Sequence, residues 1–187
     1  MICKTFFRAG LLTIAAVMLS PAQAAGSNLL VNSAFTPSTT APKAGYLPVA
    51  SSWSGSGQKN VGTDPAGGLW LGVTTPVFSG NVNRLGWDVA PNASQSVKVP
   101  AGCKAPKLAY QVEFTGAAPQ SGSGLKISVG TQSTTINWSA TPVAGSFALK
   151  ALPAGPVAVD LASVKGTKQI TGVRAGILVK SVELTCN

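Results

Sequence analysis

The chain has 187 residues, 45% of them hydrophobic and only 10% charged, with 21 glycines and 13 prolines. Fourteen lysines and arginines stand against five acids, a net charge of +9, and histidine is absent. Without histidine the usual pairs of nucleophile and general base are missing, and nothing in the composition supplies a catalytic site by itself.

The first residues read as a secretory signal. Lys4 and Arg8 precede an uninterrupted apolar run, Ala9 to Leu19, and Ser20, Pro21 and Ala22-Gln23-Ala24 form a small-residue exit. The run is well short of the roughly 20 residues that cross a bilayer, and no lipid-attachment cysteine follows it. Residues 1–24 are therefore expected to be removed, with residues 25–187 forming one exported domain, periplasmic or extracellular, of the usual size. Losing Lys4 and Arg8 leaves 12 bases against five acids, a net +7. No later apolar stretch is long enough to span a membrane.

The predicted elements beyond the signal are strands. No stretch holds a helical period, whereas alternation with period two recurs. In chain order the candidates are Leu29 to Val31, Leu69 to Val73, Ser96 to Val99, Leu108 to Phe114, Leu125 to Val129, Thr134 to Trp138, Phe147 to Leu149, Val157 to Leu161 and Ile177 to Leu184. The clearest are Leu108, Tyr110, Val112 and Phe114 against Ala109, Gln111 and Glu113; Leu125, Ile127 and Val129 against Lys126 and Ser128; and Val157, Val159 and Leu161 against Ala158 and Asp160. Turn clusters separate them at Pro100-Ala101-Gly102, Pro119 to Gly124 and Pro153 to Pro156. Short alternating strands with this punctuation predict an all-β antiparallel sandwich. Thr36 to Gly68, rich in Ser, Thr, Gly and Pro, is either a surface excursion over one end of the sandwich or a mobile loop.

Cys3 leaves with the signal, so Cys103 and Cys186 remain as a pair. In an oxidising compartment a disulfide is the expected state; two unpaired thiols are the alternative. The bond closes a loop of more than 80 residues, worth ~3–5 kcal/mol in the chain-entropy model. Two cysteines without histidine cannot complete a tetrahedral zinc set.

Four segments resemble the galactose-binding-like jelly rolls, the fold of many bacterial carbohydrate-binding modules. Asn28 to Phe35 (NLLVNSAF) is similar to that group's opening strand, and Trp53 sits where its members often carry a tryptophan. Ser94 to Gly102 (SQSVKVPAG), leading into Tyr110 to Phe114, is similar to a middle strand pair. Lys180 to Thr185 (KSVELT) resembles the closing strand. The resemblance implies a jelly roll and carbohydrate binding. It also implies a structural calcium site, but Thr36, Lys180 and Ser181 stand where the group places acids. Calcium needs several hard oxygen ligands, and the five acids are scattered, so no metal site and no cofactor is expected.

The same reasoning frames the candidate site. Tryptophans stack on sugar rings while amides and hydroxyls read the ring hydroxyls. Trp53 is read as a core plug. Trp70 lies between Leu69 and Leu71, and which of them faces the core is undecided; it is kept as a further candidate ligand-binding residue. Trp87, with Arg84 near it among polar neighbours, is the best candidate platform, and Trp138 comes next. Carboxylate catalysis would need Glu113 and Glu183 to act as a pair, whereas exposed strand-face acids are the plainer reading, so no enzyme is expected. The positive charge, tightest at Lys98, Lys104 and Lys107, fits an anionic partner or simple solubility; no nucleic acid partner is expected of an exported protein. The expected function is non-catalytic recognition of polysaccharide or an anionic envelope glycan. The alternative is a surface, adhesin or matrix subunit that self-associates or binds other proteins. Asn92-Ala93-Ser94 and Asn137-Trp138-Ser139 also fit glycosylation acceptors.

Overall fold

A computed structural model describes residues 26–58, 60–73, 91–116, 123–164 and 175–186. Residues 1–24, read above as a signal, lie outside the described residues. Among the described residues nine strands are present: β1 (Val61–Thr63), β2 (Leu69–Val73), β3 (Asn92–Val99), β4 (Lys107–Thr115), β5 (Gly124–Val129), β6 (Gln132–Asn137), β7 (Val143–Ala148), β8 (Gly155–Val164) and β9 (Ala175–Thr185). They form two antiparallel sheets, in the orders β1-β2-β9-β4-β7 and β3-β8-β5-β6, so the chain is a β-sandwich. The pairs are nested: β2 with β9, β3 with β8, β4 with β7 and β5 with β6. The chain thus runs as one long hairpin rolled into two layers, the winding of a jelly roll. Its tip is Gly130-Thr131, where Val129 pairs with Gln132. Gly130 has φ +57° at the first central position while Thr131 stays at negative φ, the residue order of a type II′ turn.

The alternation read in the sequence becomes the packing. Leu125, Ile127, Val129, Val157, Val159 and Leu161 are buried between the sheets, while Lys126 and Ala158 point to water. Leu108 and Val112 are buried, and Tyr110 and Phe114 pack half-buried against the same core. β9 shows how one residue resets the pattern. Ile177 and Val179 face inward, and so do Val182 and Leu184, which is out of step by one. The β4–β9 register jumps between Gln111–Ser181 and Val112–Val179, leaving Lys180 as the extra residue of a β-bulge. Without it, a strict period of two would turn Val182 and Leu184 outward.

Two expectations change. Leu29 to Val31 is not a strand: the segment meets β9 through an isolated bridge, Asn28–Thr185, with Leu29 N–H donating to the Leu184 carbonyl at 2.7 Å. It then turns away at Asn32, whose φ is +54°. Conversely, Val61–Thr63 forms β1 inside the stretch read as an excursion or mobile loop. That stretch is an ordered excursion in its described part, fastened by the Pro37–Ala50 bridge, by Ser38 N–H to the Val49 carbonyl (2.8 Å) and by Thr63 N–H to the Pro48 carbonyl (2.9 Å).

The Asn28–Phe35 segment, this excursion and β3 meet at two side chains. Trp53, 3% exposed, tilts against Phe35 with ring centroids 5.1 Å apart and donates its indole N–H to the Asn32 carbonyl at 3.2 Å. Gln95, 6% exposed on β3, accepts from Val31 N–H at 2.8 Å and donates to the carbonyls of Val31 (2.8 Å) and Ser52 (3.1 Å). A buried amide is stable only with its polar atoms partnered, and here those partners are the backbones of two separate segments. Cys103 and Cys186 form a disulfide with Cα atoms 5.2 Å apart, joining the β3–β4 link to the residue that follows β9.

Candidate functional site: the lysine-bearing end

The winding sorts the strand connections onto two ends. At one end lie the β3–β4 link, the Gly130-Thr131 turn, the β7–β8 link and the end of β9 with its disulfide. Lys98 points outward near the end of β3, Lys104 lies in the β3–β4 link, and Lys107 opens β4; all three are exposed. The sequence places these three together. The fold adds Lys150, 43 residues beyond Lys107 in the numbering, because Lys107 pairs with Ala148 and the chain leaves β7 alongside the start of β4. Leu149 N–H donates to the Pro106 carbonyl at 2.8 Å. The Gln132 side chain then holds the Lys150 backbone from both sides, accepting its N–H at 2.7 Å and donating to its carbonyl at 3.3 Å. The exposed Lys150 is thus seated by backbone contacts. Among the described residues, the links that build this end carry no carboxylate, and the strand ends bring one, the exposed Glu183, two residues before the end of β9.

Beside this end, the outer face of β9-β4-β7 is shallow and lined mostly by apolar surface. One depression of about 260 Å³ is lined by Ala109, Tyr110, Gln111, Ala144, Ser181 and Glu183, among others. A second, of about 220 Å³, includes Gln111, Glu113, Pro142, Ala144 and Lys180. Lys107 precedes the first depression on β4, so this face adjoins the lysine end. Glu113 and Lys180 approach to 4.0 Å, a partly exposed pair that contributes little to stability. Glu183 pairs with Ala109, four residues from Glu113 along β4. At ~3.3 Å per residue and one strand across, the two backbone positions are roughly 14 Å apart. Paired catalytic carboxyls sit about 5–9.5 Å apart. Among the described residues, no three His, Cys, Asp or Glu side chains converge on a point that could hold a metal ion.

The tryptophan candidates do not form one platform. Trp70 is 1% exposed, which corrects its reading as a ligand-stacking residue: the indole has no face to offer. The reason is local. Leu69 and Leu71 face the sandwich core, so Trp70 lies on the outer face, where it is covered as well. Its ring lies close over Gly176, where an added Cβ would come 2.8 Å from Cζ2. Trp138 is half-buried just after β6, at the end opposite the lysines, with its backbone N–H on the Ser123 carbonyl at 2.9 Å. Trp87 and Arg84 lie outside the described residues. Among these residues, no helix is long and apolar enough to cross a membrane. No protein-family model matches this chain, and no curated protein sequence matches it.

Proposed function

We propose that this protein is an exported, non-catalytic binding domain that engages an anionic envelope polysaccharide through its lysine-bearing end. The observation that carries the reading is the gathering of Lys98, Lys104, Lys107 and Lys150 around one end, against one nearby acid, Glu183, among the described residues. Four exposed cations against one acid attract a repeating anion, and the adjoining shallow face offers an amide, a hydroxyl and small side chains against which sugar rings can lie.

Binding of residues 25–187 to polygalacturonate is compared with binding to its methyl-esterified, neutral form at physiological salt, by calorimetry. A lysine near an anionic surface contributes on the order of 1 kcal/mol. Replacing Lys98, Lys104, Lys107 and Lys150 together by glutamine is therefore expected to weaken binding by tenfold to ~10³-fold, with screening favouring the lower figure. Equal affinity for the neutral polymer, or full affinity in the quadruple variant, refutes the reading. Loss of binding in Trp138→Ala alone would move the site to the opposite end.

A further inference from the structure

The four sheet edges are treated unequally. The short edge strand β1 is covered by its own chain: Gln58 N–H donates to the Val61 carbonyl (2.8 Å) and Thr63 N–H to the Pro48 carbonyl (2.9 Å). β3 is bridged by Ser54, which exchanges both backbone hydrogen bonds with Ser94 (2.8 and 3.0 Å) and adds a hydroxyl contact at 2.7 Å. Two edges remain: β6, polar at every residue but Ile136, pairs only with β5, and β7 pairs only with β4, among the described residues. Its six residues, Val-Ala-Gly-Ser-Phe-Ala, contain no charge and no proline, and its register with β4 has no bulge. These are the devices by which edge strands resist pairing with another chain. Val143 and Phe147 stay half-exposed on the core-facing side, while Ala144, Ser146 and Ala148 are exposed on the other.

We propose that β7 pairs antiparallel with β7 of a second copy of this chain, about a two-fold axis through Ser146. The strand's own pattern selects that occupant. A two-fold perpendicular to the sheet keeps each face on its own side, so a residue must pair with its own copy. Centred on Ser146, it sets Ala144 opposite Ala148 and Gly145 opposite Phe147. One face then meets as Ala-Ser-Ala on Ala-Ser-Ala, and on the other each Phe147 ring lies across the small Gly145 of its partner. No charge on β7 opposes another, although each chain is strongly basic. The product is one continuous ten-stranded sheet that covers the half-exposed Phe147 and Val143. This inference is independent of the polysaccharide reading, since β7 carries none of the four lysines.

The test uses residues 25–187 with the native disulfide formed. Sedimentation velocity from about 1 to 200 μM is expected to show a monomer–dimer equilibrium. Ser146→Lys places two lysines directly opposite and is expected to weaken dimerisation at least tenfold, while its thermal unfolding stays close to that of the parent because the site is exposed. The register is read by cysteine cross-linking. Ser146→Cys is expected to give a covalent dimer under mild oxidation, and Ala144→Cys is not, because its opposite number is Ala148. A monomer at every concentration, a dimer untouched by Ser146→Lys, or cross-linking as efficient at 144 as at 146 overturns the proposal.

Discussion

The buried amide of Gln95 is the most exposing single test of how the sandwich is held together. Gln95→Leu keeps the side-chain volume nearly constant and removes three hydrogen bonds, to Val31 N–H, the Val31 carbonyl and the Ser52 carbonyl. Each such bond contributes about 0.5–1.5 kcal/mol net. Val31 is 62% exposed and Ser52 is exposed, so the released backbone groups can turn to water and avoid the full cost of a buried orphan. The expected loss is therefore about 2–3 kcal/mol, toward the low end of the summed range. In a domain of this size each kcal/mol lowers Tm by about 2–4 °C, giving a drop of ~5–10 °C in a calorimetric melt with the disulfide intact. Gln95→Glu adds a sign. Burial and two facing carbonyls raise the carboxyl's folded pKa above the unfolded value of about 4.3. The variant's deficit relative to the parent is then smallest below that unfolded value and grows as pH rises through the folded one. A Gln95→Leu melt within about 1 °C of the parent, or a Glu variant that recovers with rising pH, refutes the argument.

Other outcomes follow from single contacts. Replacing Cys103 and Cys186 by alanine releases a bond of sequence separation 83 and is expected to cost ~3–5 kcal/mol, read as a lower urea midpoint than the oxidised parent; an unchanged midpoint would count against the chain-entropy account. Gly176→Ala sets a Cβ 2.6 Å from the Leu71 carbonyl and 2.8 Å from both Gly72 Cα and the Trp70 ring. Overpacking against backbone costs about 1–3 kcal/mol, and a shift in Trp70 emission, checked against Trp70→Phe, should accompany it. Gly145→Val meets the Tyr110 hydroxyl at 2.6 Å and is expected to lower Tm by several degrees; a higher Tm would show that the ring moves freely.

Much of the sandwich is legible in the residues because burying one face of a strand imposes a period of two. β4, β5 and β8 show it directly. What is not legible has specific causes. β1 is three residues of no distinctive pattern, Val-Gly-Thr, and is a strand because it pairs with β2 on one side and the excursion caps it on the other. Leu29 to Val31 carries the residues of a strand, but its contact with β9 is limited to a bridge before the chain turns at Asn32. Trp70 could not be placed because alternation assumes that one face is wet, and both faces of β2 at that point are covered. Gln95 is in step with Ala93, Val97 and Val99 on the inner side of β3, but what partners a buried amide there appears only when the segments around Val31 and Ser52 close over it. Lys150 joins the lysine end through strand pairing alone, which no local window contains.

The position of β9 carries one more consequence. This strand is made after the other eight described strands, yet it lies in the middle of its sheet, between β2 and β4, and its end also receives the segment around Gly26 to Leu29. As the chain emerges from the ribosome, β2 and β4 have no partner between them until residues 175–185 appear. Early-made pieces must wait for late ones, a topology of distant contacts that folds slowly. A nascent chain stalled before β9 would therefore present a split layer with two raw edges, and surveillance by chaperones or proteases would meet it in that state.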